Sequence, residues 1–93
     1  MEIRLYSKDI FREIESLSDP NWLAIDELVW KMIKTKKKLK CNSTAEQNEG
    51  VVCVLLIDPE GLMKEGDANA ILAAASRHAN TVTYCRKDDE EHD

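Results

Sequence analysis

Alternating and helical patterns of apolar residues define the N-terminal half of the chain. Residues 2–6, EIRLY, alternate apolar and polar positions, which is typical of a short β-strand. Ser7 then stands where a helix N-cap is expected. The apolar residues that follow recur at helical spacing, at Ile10, Phe11, Ile14 and Leu17. This pattern predicts a first helix from Lys8 to Leu17.

A second, longer helix is predicted after the segment SLSDP, residues 16–20. Asp19 or Asn21 is suited to cap it, and Pro20 is tolerated in a first helical turn. Its apolar stripe consists of Trp22, Ile25, Leu28, Val29, Met32 and Ile33. The helix closes in a lysine-rich run, residues 34–40, whose charges either complement the helix dipole or form a phosphate-binding patch.

The C-terminal half is predicted to form a strand, a helix and a strand. VVCVLLI, residues 51–57, is continuously apolar, which indicates a strand buried on both faces in the middle of a sheet. After a turn region, Asp67 caps a third helix over residues 68–79, and Asn80 takes the left-handed position at its end. TVTYCR, residues 81–86, forms the last strand.

These elements predict an α/β fold in the order strand, helix, helix, strand, helix, strand. Consecutive parallel strands need right-handed crossovers, so three parallel strands with three helices packed over them are expected. We expect one domain over residues 1–87, a mobile loop over the polar segment 41–50 and a disordered acidic tail over residues 88–93.

Charge and hydropathy narrow the functional classes. The formal net charge of -5 argues against direct nucleic-acid binding, which requires a basic surface, and is compatible with a basic protein partner or with solubility alone. No apolar run approaches the roughly 20 residues that span a bilayer, and the N-terminus is too polar for a signal peptide. The expectation is a cytoplasmic protein without membrane contact.

The cysteines and histidines give no sign of a metal or redox centre. Cys41, Cys53 and Cys85 show no C-x-x-C spacing, and His78 and His92 have no ligand spacing to them. Free thiols suit a reducing compartment. Cys53 and Cys85 are expected to be small buried residues of strands.

Catalytic motifs are absent from the sequence. No glycine-rich phosphate loop occurs, and Ser76 and His78 lie in one helical turn, where they point in different directions. A group of carboxylates follows the central strand, at Asp58, Glu60, Glu65 and Asp67. These carboxylates either bind a cation or transfer a proton at the sheet edge, or they serve turns and caps. We expect no cofactor, no metal and no enzymatic activity.

The second helix carries the strongest candidate for a binding surface. Trp30 lies off the apolar stripe, next to Leu23, and Asp26 lies between Trp30 and the stripe. The predicted partner-binding residues are Trp22, Leu23, Asp26, Glu27 and Trp30. Tryptophan is enriched among residues that dominate binding energy, and carboxylates beside it favour a basic partner. The alternative is that the sheet, the lysine run or a neighbouring helix covers Trp30.

The segment AIDELVWK, residues 24–31, is similar to the second-helix pattern of the barstar family, and the predicted element order resembles that family over residues 2–86. Ile25, Asp26 and Leu28 match in place, and Trp30 comes one position after the family's tryptophan. The resemblance implies a small intracellular inhibitor that plugs the basic active site of a ribonuclease with its second helix. It carries Asp26 over as a contact residue.

The sequence therefore predicts an inhibitor or immunity-type protein that blocks a basic nuclease or toxin with the acidic face of helix two. An alternative is a regulatory interaction module, because residues 57–75 loosely resemble the switch region of anti-sigma-factor-antagonist domains. That module would bind at the edge from Asp58 to Asp67. A third hypothesis is a small hydrolase or transferase that uses the same carboxylates.

Overall fold

A computed structural model describes residues 1–40 and 50–86, which form a mixed α/β domain. The elements in chain order are β1 (Glu2–Tyr6), α1 (Ser7–Glu15), α2 (Trp22–Lys40), β2 (Cys53–Ile57), α3 (Glu65–His78) and β3 (Thr81–Cys85). The predicted order of strands and helices is confirmed. The predicted mobile loop falls almost entirely on residues 41–49 and the predicted tail on residues 87–93, which lie outside the described residues together with Cys41 and His92.

The three strands form one parallel sheet with β2 in the centre. In this register Ile3, Val54 and Val82 lie side by side, as do Leu5, Leu56 and Tyr84. All six side chains belong to the hydrophobic core or pack against it. Because side chains alternate across a strand, these six positions share one face of the sheet, and the helices cover that face.

The other face of the sheet is only partly covered. Cys53 and Leu55 point to that face and are half-buried, whereas Ile57 is buried. Successive strands are added in one direction, β1 to β2 to β3, so crossovers of one hand place all helices on the same side. The prediction that β2 is buried on both faces is therefore wrong for Cys53 and Leu55. Cys85 is likewise half-buried rather than buried.

The core lies between the sheet and the helices. Val29 and Ile33 of α2, Ile10 of α1 and Ile71 of α3 are essentially inaccessible to solvent. The small residues Ala74 and Ala75 of α3 are also buried, and they let α3 approach its neighbours closely. Helices α2 and α3 pack against each other, which brings the first half of α2 beside the last turn of α3.

Two helices start earlier than predicted, α1 by one residue and α3 by three. Ser7 is the first residue of α1 rather than its cap, because its hydroxyl is used by a distant carboxylate. Helix α3 begins at Glu65, so Asp67 lies in the first turn, where its charge suits the dipole. The predicted cap of α2 is confirmed for Asn21, whose Oδ1 accepts the backbone N–H of Ala24 at 3.0 Å.

Asn80 has a different role from the predicted left-handed cap. No described non-glycine residue has a positive φ, so the chain leaves α3 in extended conformation at Ala79. Asn80 instead accepts the backbone N–H of Val52 on its Oδ1 at 2.8 Å, and its own N–H donates to the Val52 carbonyl at 2.8 Å. This pair joins the starts of β2 and β3.

Among the described residues, no helix is both long enough and apolar enough to cross a membrane.

Candidate functional site

The first turn of α2 presents two large apolar side chains to solvent. Trp22 is 62% exposed and Leu23 is 60% exposed, although both begin a helix whose opposite side enters the core. A hydrogen bond between two side chains orders the residues just before α2, since Asn21 Nδ2 donates to Asp19 Oδ2 at 3.1 Å. The two exposed side chains are therefore carried on an ordered helix start.

Asp26 lies one turn further along α2 and is engaged by α3. The Nε–H of Arg77 donates to Asp26 Oδ1 at 2.7 Å, and Nε2 of His78 lies 3.3 Å from Oδ1 and 3.2 Å from Oδ2. The hydrogen bond from Arg77 lowers the pKa of Asp26, and the proximity of His78 adds to this effect against the opposing effect of desolvation. Asp26 is therefore ionised at neutral pH and already paired within the chain.

Trp30 is covered by a neighbouring helix and by the lysine run. Its ring stacks on the imidazole of His78 with centroids 4.6 Å apart and an angle of 22° between the planes. Lys34 Nζ lies 4.9 Å from the centre of the Trp30 ring. Trp30 thus belongs to the contact between α2 and α3 and is half-buried there, which matches the alternative considered for it.

Glu27 lies on the exposed side of α2. Its carboxylate pairs with Lys31 Nζ at 3.0 Å, at the helical i, i+4 spacing. Glu27 and Lys31 also line a groove of about 520 Å³ between α1 and α2, whose apolar residues include Leu17, Leu28 and Met32. Both predicted acidic residues therefore have a cation beside them, so the surface carries charges of both signs.

The aromatic and charged residues of α2 and α3 form a continuous group on the surface, which we call the α2–α3 cluster. It consists of Trp22, Asp26, Trp30, Arg77 and His78. The guanidinium carbon of Arg77 lies 5.7 Å from the centre of the Trp22 ring, within the range of a cation–π contact. The structure thus brings three of the predicted site residues together with two residues that were not predicted.

Arg77 and His78 were missed because their partners lie 51 and 52 residues away in the sequence. In the sequence, His78 stands out only for sharing a helical turn with Ser76. The available signal was a pair of basic residues ending one helix and an acidic residue with an off-stripe tryptophan on another. Connecting the two requires knowledge of how α2 and α3 pack, which periodicity alone does not supply.

Asp58 is a second polar centre, at the carboxyl end of the sheet. It is fully buried, and its carboxylate accepts four hydrogen bonds, from Ser7 Oγ at 2.7 Å, Leu62 N at 2.8 Å, Met63 N at 3.0 Å and Tyr84 Oη at 3.1 Å. Gly61, with a φ of 65°, allows the tight turn that returns these amides to the carboxylate. One side chain therefore ties together the ends of β1 and β2 and the strand β3.

Hydrogen bonding decides the ionisation of Asp58. Burial by itself would raise the pKa of Asp58, but the amides of Met63 and Leu62 and the hydroxyls of Ser7 and Tyr84 together lower it below its ordinary value. In return, burial and the adjacent carboxylate raise the pKa of Tyr84. Asp58 is a structural anion whose oxygens are occupied by the protein's own donors.

The remaining carboxylates of this edge are exposed. Glu60, Glu65 and Asp67 are exposed whereas Asp58 is buried, and no group of three or more potential metal ligands exists among the described residues. Leu62, which is 43% exposed, is the large apolar side chain of this edge. It lines a cavity of about 290 Å³ together with Tyr6 and Lys8.

Comparison of the chain with protein-family models, with curated proteins and with solved structures yields no match.

Proposed function

We propose that this protein is a non-enzymatic inhibitor or immunity-type protein of the barstar-like kind, which binds a basic nuclease or toxin through α2. The proposal is supported by the element order and the parallel three-stranded sheet, which are those that the resemblance implies. The proposal includes membership of the barstar family, a cytoplasmic location and a basic partner.

The observation that carries the proposal is the exposure of Trp22 and Leu23 beside Asp26. Single exposed apolar residues are common, but tryptophan is enriched among the residues that dominate binding energy, and Leu23 extends the apolar area beside Trp22. Complete burial of one such side chain contributes about 1.5–3 kcal/mol. A partner that covers both therefore gains a central apolar contact.

The mechanism would be steric. The first turn of α2 would enter the partner's active-site cleft, and Asp26 and Glu27 would take the place of substrate phosphates against the partner's cations. Both carboxylates are paired within the chain in the free protein, with Arg77 and Lys31. Binding would exchange these pairs for pairs with the partner, and exposed pairs of this kind contribute only about 0–1 kcal/mol each.

The test is a comparison of two surface variants in capture and inhibition experiments. A Trp22→Ala, Leu23→Ala protein is expected to lose a basic partner that the wild type retains from host lysate, and to lose inhibition of that partner after purification. Leu62→Ala is the matched control, because it removes an exposed apolar side chain at the opposite candidate site. Equal capture and inhibition by all three proteins would contradict the proposal.

A regulatory interaction module that binds at the edge from Asp58 to Asp67 is the second candidate. The exposed Leu62 and the cavity beside it favour this edge, whereas the burial of Asp58 leaves that carboxylate without access to a ligand. The same pair of variants separates the two functions. Loss of the partner with Leu62→Ala, and retention with Trp22→Ala, Leu23→Ala, would assign binding to this edge.

A further inference from the structure

Asp26 and Trp22 form a small site that is already occupied by a side chain of the protein itself. The carboxylate of Asp26 provides the acceptor and the face of the Trp22 ring provides the platform, and Arg77 contacts both. A guanidinium suits this site better than an ammonium group, because a planar guanidinium can donate to the carboxylate and stack on the aromatic face together. Arg77 therefore shows which chemistry the site selects.

The contact made by Arg77 is easily broken. Its side chain is 45% exposed, and a single nitrogen, Nε, makes its hydrogen bond to Asp26. An exposed ion pair gives at most about a fivefold preference for the paired state. By contrast Asp26 is only 22% exposed and stays fixed on α2 beside His78, so the acceptor remains in place when Arg77 leaves.

We infer that Asp26 and Trp22 form a guanidinium-binding site that takes an arginine of the partner, and that Arg77 occupies this site in the free protein. The inference rests on the proposed function, since it assigns the partner chemistry of the same face of α2. Arg77 then sets the affinity for the partner, because it competes with the partner's arginine for the site. An incoming arginine displaces Arg77 from Asp26 and takes its place on the Trp22 ring. The compact ammonium of a lysine cannot donate to the carboxylate and at the same time stack a planar group on the ring.

The test uses peptides of equal charge, hexa-arginine and hexa-lysine, with binding followed by tryptophan fluorescence at low ionic strength. Removal of the internal occupant in Arg77→Ala is expected to tighten hexa-arginine binding by about two- to fivefold and to leave hexa-lysine much less affected. Arg12→Ala is the matched control, because Arg12 is an exposed arginine whose only described partner, Asp9, lies at 3.7 Å on α1. It changes the net charge equally without touching the site.

Two double variants, Arg77→Ala with Asp26→Asn and Arg77→Ala with Trp22→Ala, should abolish the preference for hexa-arginine. Thermal unfolding of every variant confirms that it remains folded. Equal effects of Arg77→Ala and Arg12→Ala, or an equal gain for both peptides, would overturn the inference. If capture of a natural partner still depended on Trp22 and Leu23 in that case, the proposed function would stand without it. If neither peptide binds to any of the variants, the inference is overturned as well.

Discussion

At the scale of single residues, Asp58 has the largest expected effect on stability. It is fully buried, and its loss would leave up to four donors without an acceptor. Each unsatisfied buried donor costs about 1–3 kcal/mol, although the loop will relax and recover part of this. The residue thus determines whether the carboxyl edge of the sheet remains closed.

We expect Asp58→Asn to lower the free energy of unfolding by about 2–3 kcal/mol, because the amide keeps acceptor capacity on one oxygen only. For a domain of this size that corresponds to a decrease in Tm of roughly 8–24 °C. Urea denaturation of Asp58→Asn and of Glu60→Gln, an exposed acid two positions later, measures the difference. A loss below 0.5 kcal/mol in Asp58→Asn would contradict the assigned role.

We expect Trp30 to contribute to stability and Trp22 to contribute to binding. Trp30 packs on His78 and Lys34, so Trp30→Ala should destabilise the fold by about 1–2 kcal/mol, less than the 3–5 kcal/mol of a fully buried aromatic residue. Trp22 is mostly exposed, so Trp22→Ala should change stability by no more than about 0.5 kcal/mol. Chemical denaturation of both variants tests this, and the reverse order of effects would show that their roles are exchanged.

At the scale of elements, the apolar pattern predicted every helix and strand that the described residues contain. The strand bounds agree closely because β1 and β3 are limited by clear changes of pattern at Tyr6 and Thr81. The helix ends agree less well, since Ser7 and Asp67 look like caps locally. Tertiary hydrogen bonding, as between Ser7 and Asp58, overrides that local preference.

The junction between β2 and β3 depends on Asn80. Its side chain accepts the N–H of Val52, so Asn80→Ala should lower the free energy of unfolding by about 1–2 kcal/mol. Asn69→Ala, at an exposed position of α3, is the control and should have little effect. Thermal unfolding of the two variants makes the comparison, and equal melting temperatures would contradict a role for Asn80 at this junction.

At the scale of the whole molecule, the topology was predictable and the composition of the surface site was not. A continuously apolar strand between two amphipathic regions allows few arrangements other than a central parallel strand. The pairing of Asp26 with Arg77 depends on the packing of α2 on α3, where a rotation of either helix by one position would separate them. The sequence predicted Asp26 and Trp22 as partner-binding residues but missed the cation that joins them. It was wrong to place Trp22 also on the apolar stripe of α2, because Trp22 is 62% exposed.

The pH dependence of stability follows from the two carboxyls with lowered pKa, Asp26 and Asp58. Unfolded carboxyls of this type titrate near pH 4. Each residue therefore contributes stability that is fully present above about pH 4 and is lost as the pH falls through the lower folded pKa. We expect the urea midpoint to decrease between pH 5 and pH 2.5.

The acid sensitivity should be smaller in Asp26→Asn, which removes one of the two groups, than in the wild type. Glu60→Gln, which removes an exposed carboxylate instead, should show the wild-type decrease. A urea midpoint that does not change with pH in the wild type would contradict the assigned carboxylate contacts.

The hydrogen bonds from Leu62 and Met63 to Asp58 have a consequence for the dynamics of the chain between β2 and α3. This connection contains no helix or strand, yet two of its amides donate to a buried carboxylate. Their hydrogens should exchange with deuterium as slowly as those of β2, through global rather than local opening. The connection then belongs to the cooperative folding unit, and it opens only when the whole domain unfolds.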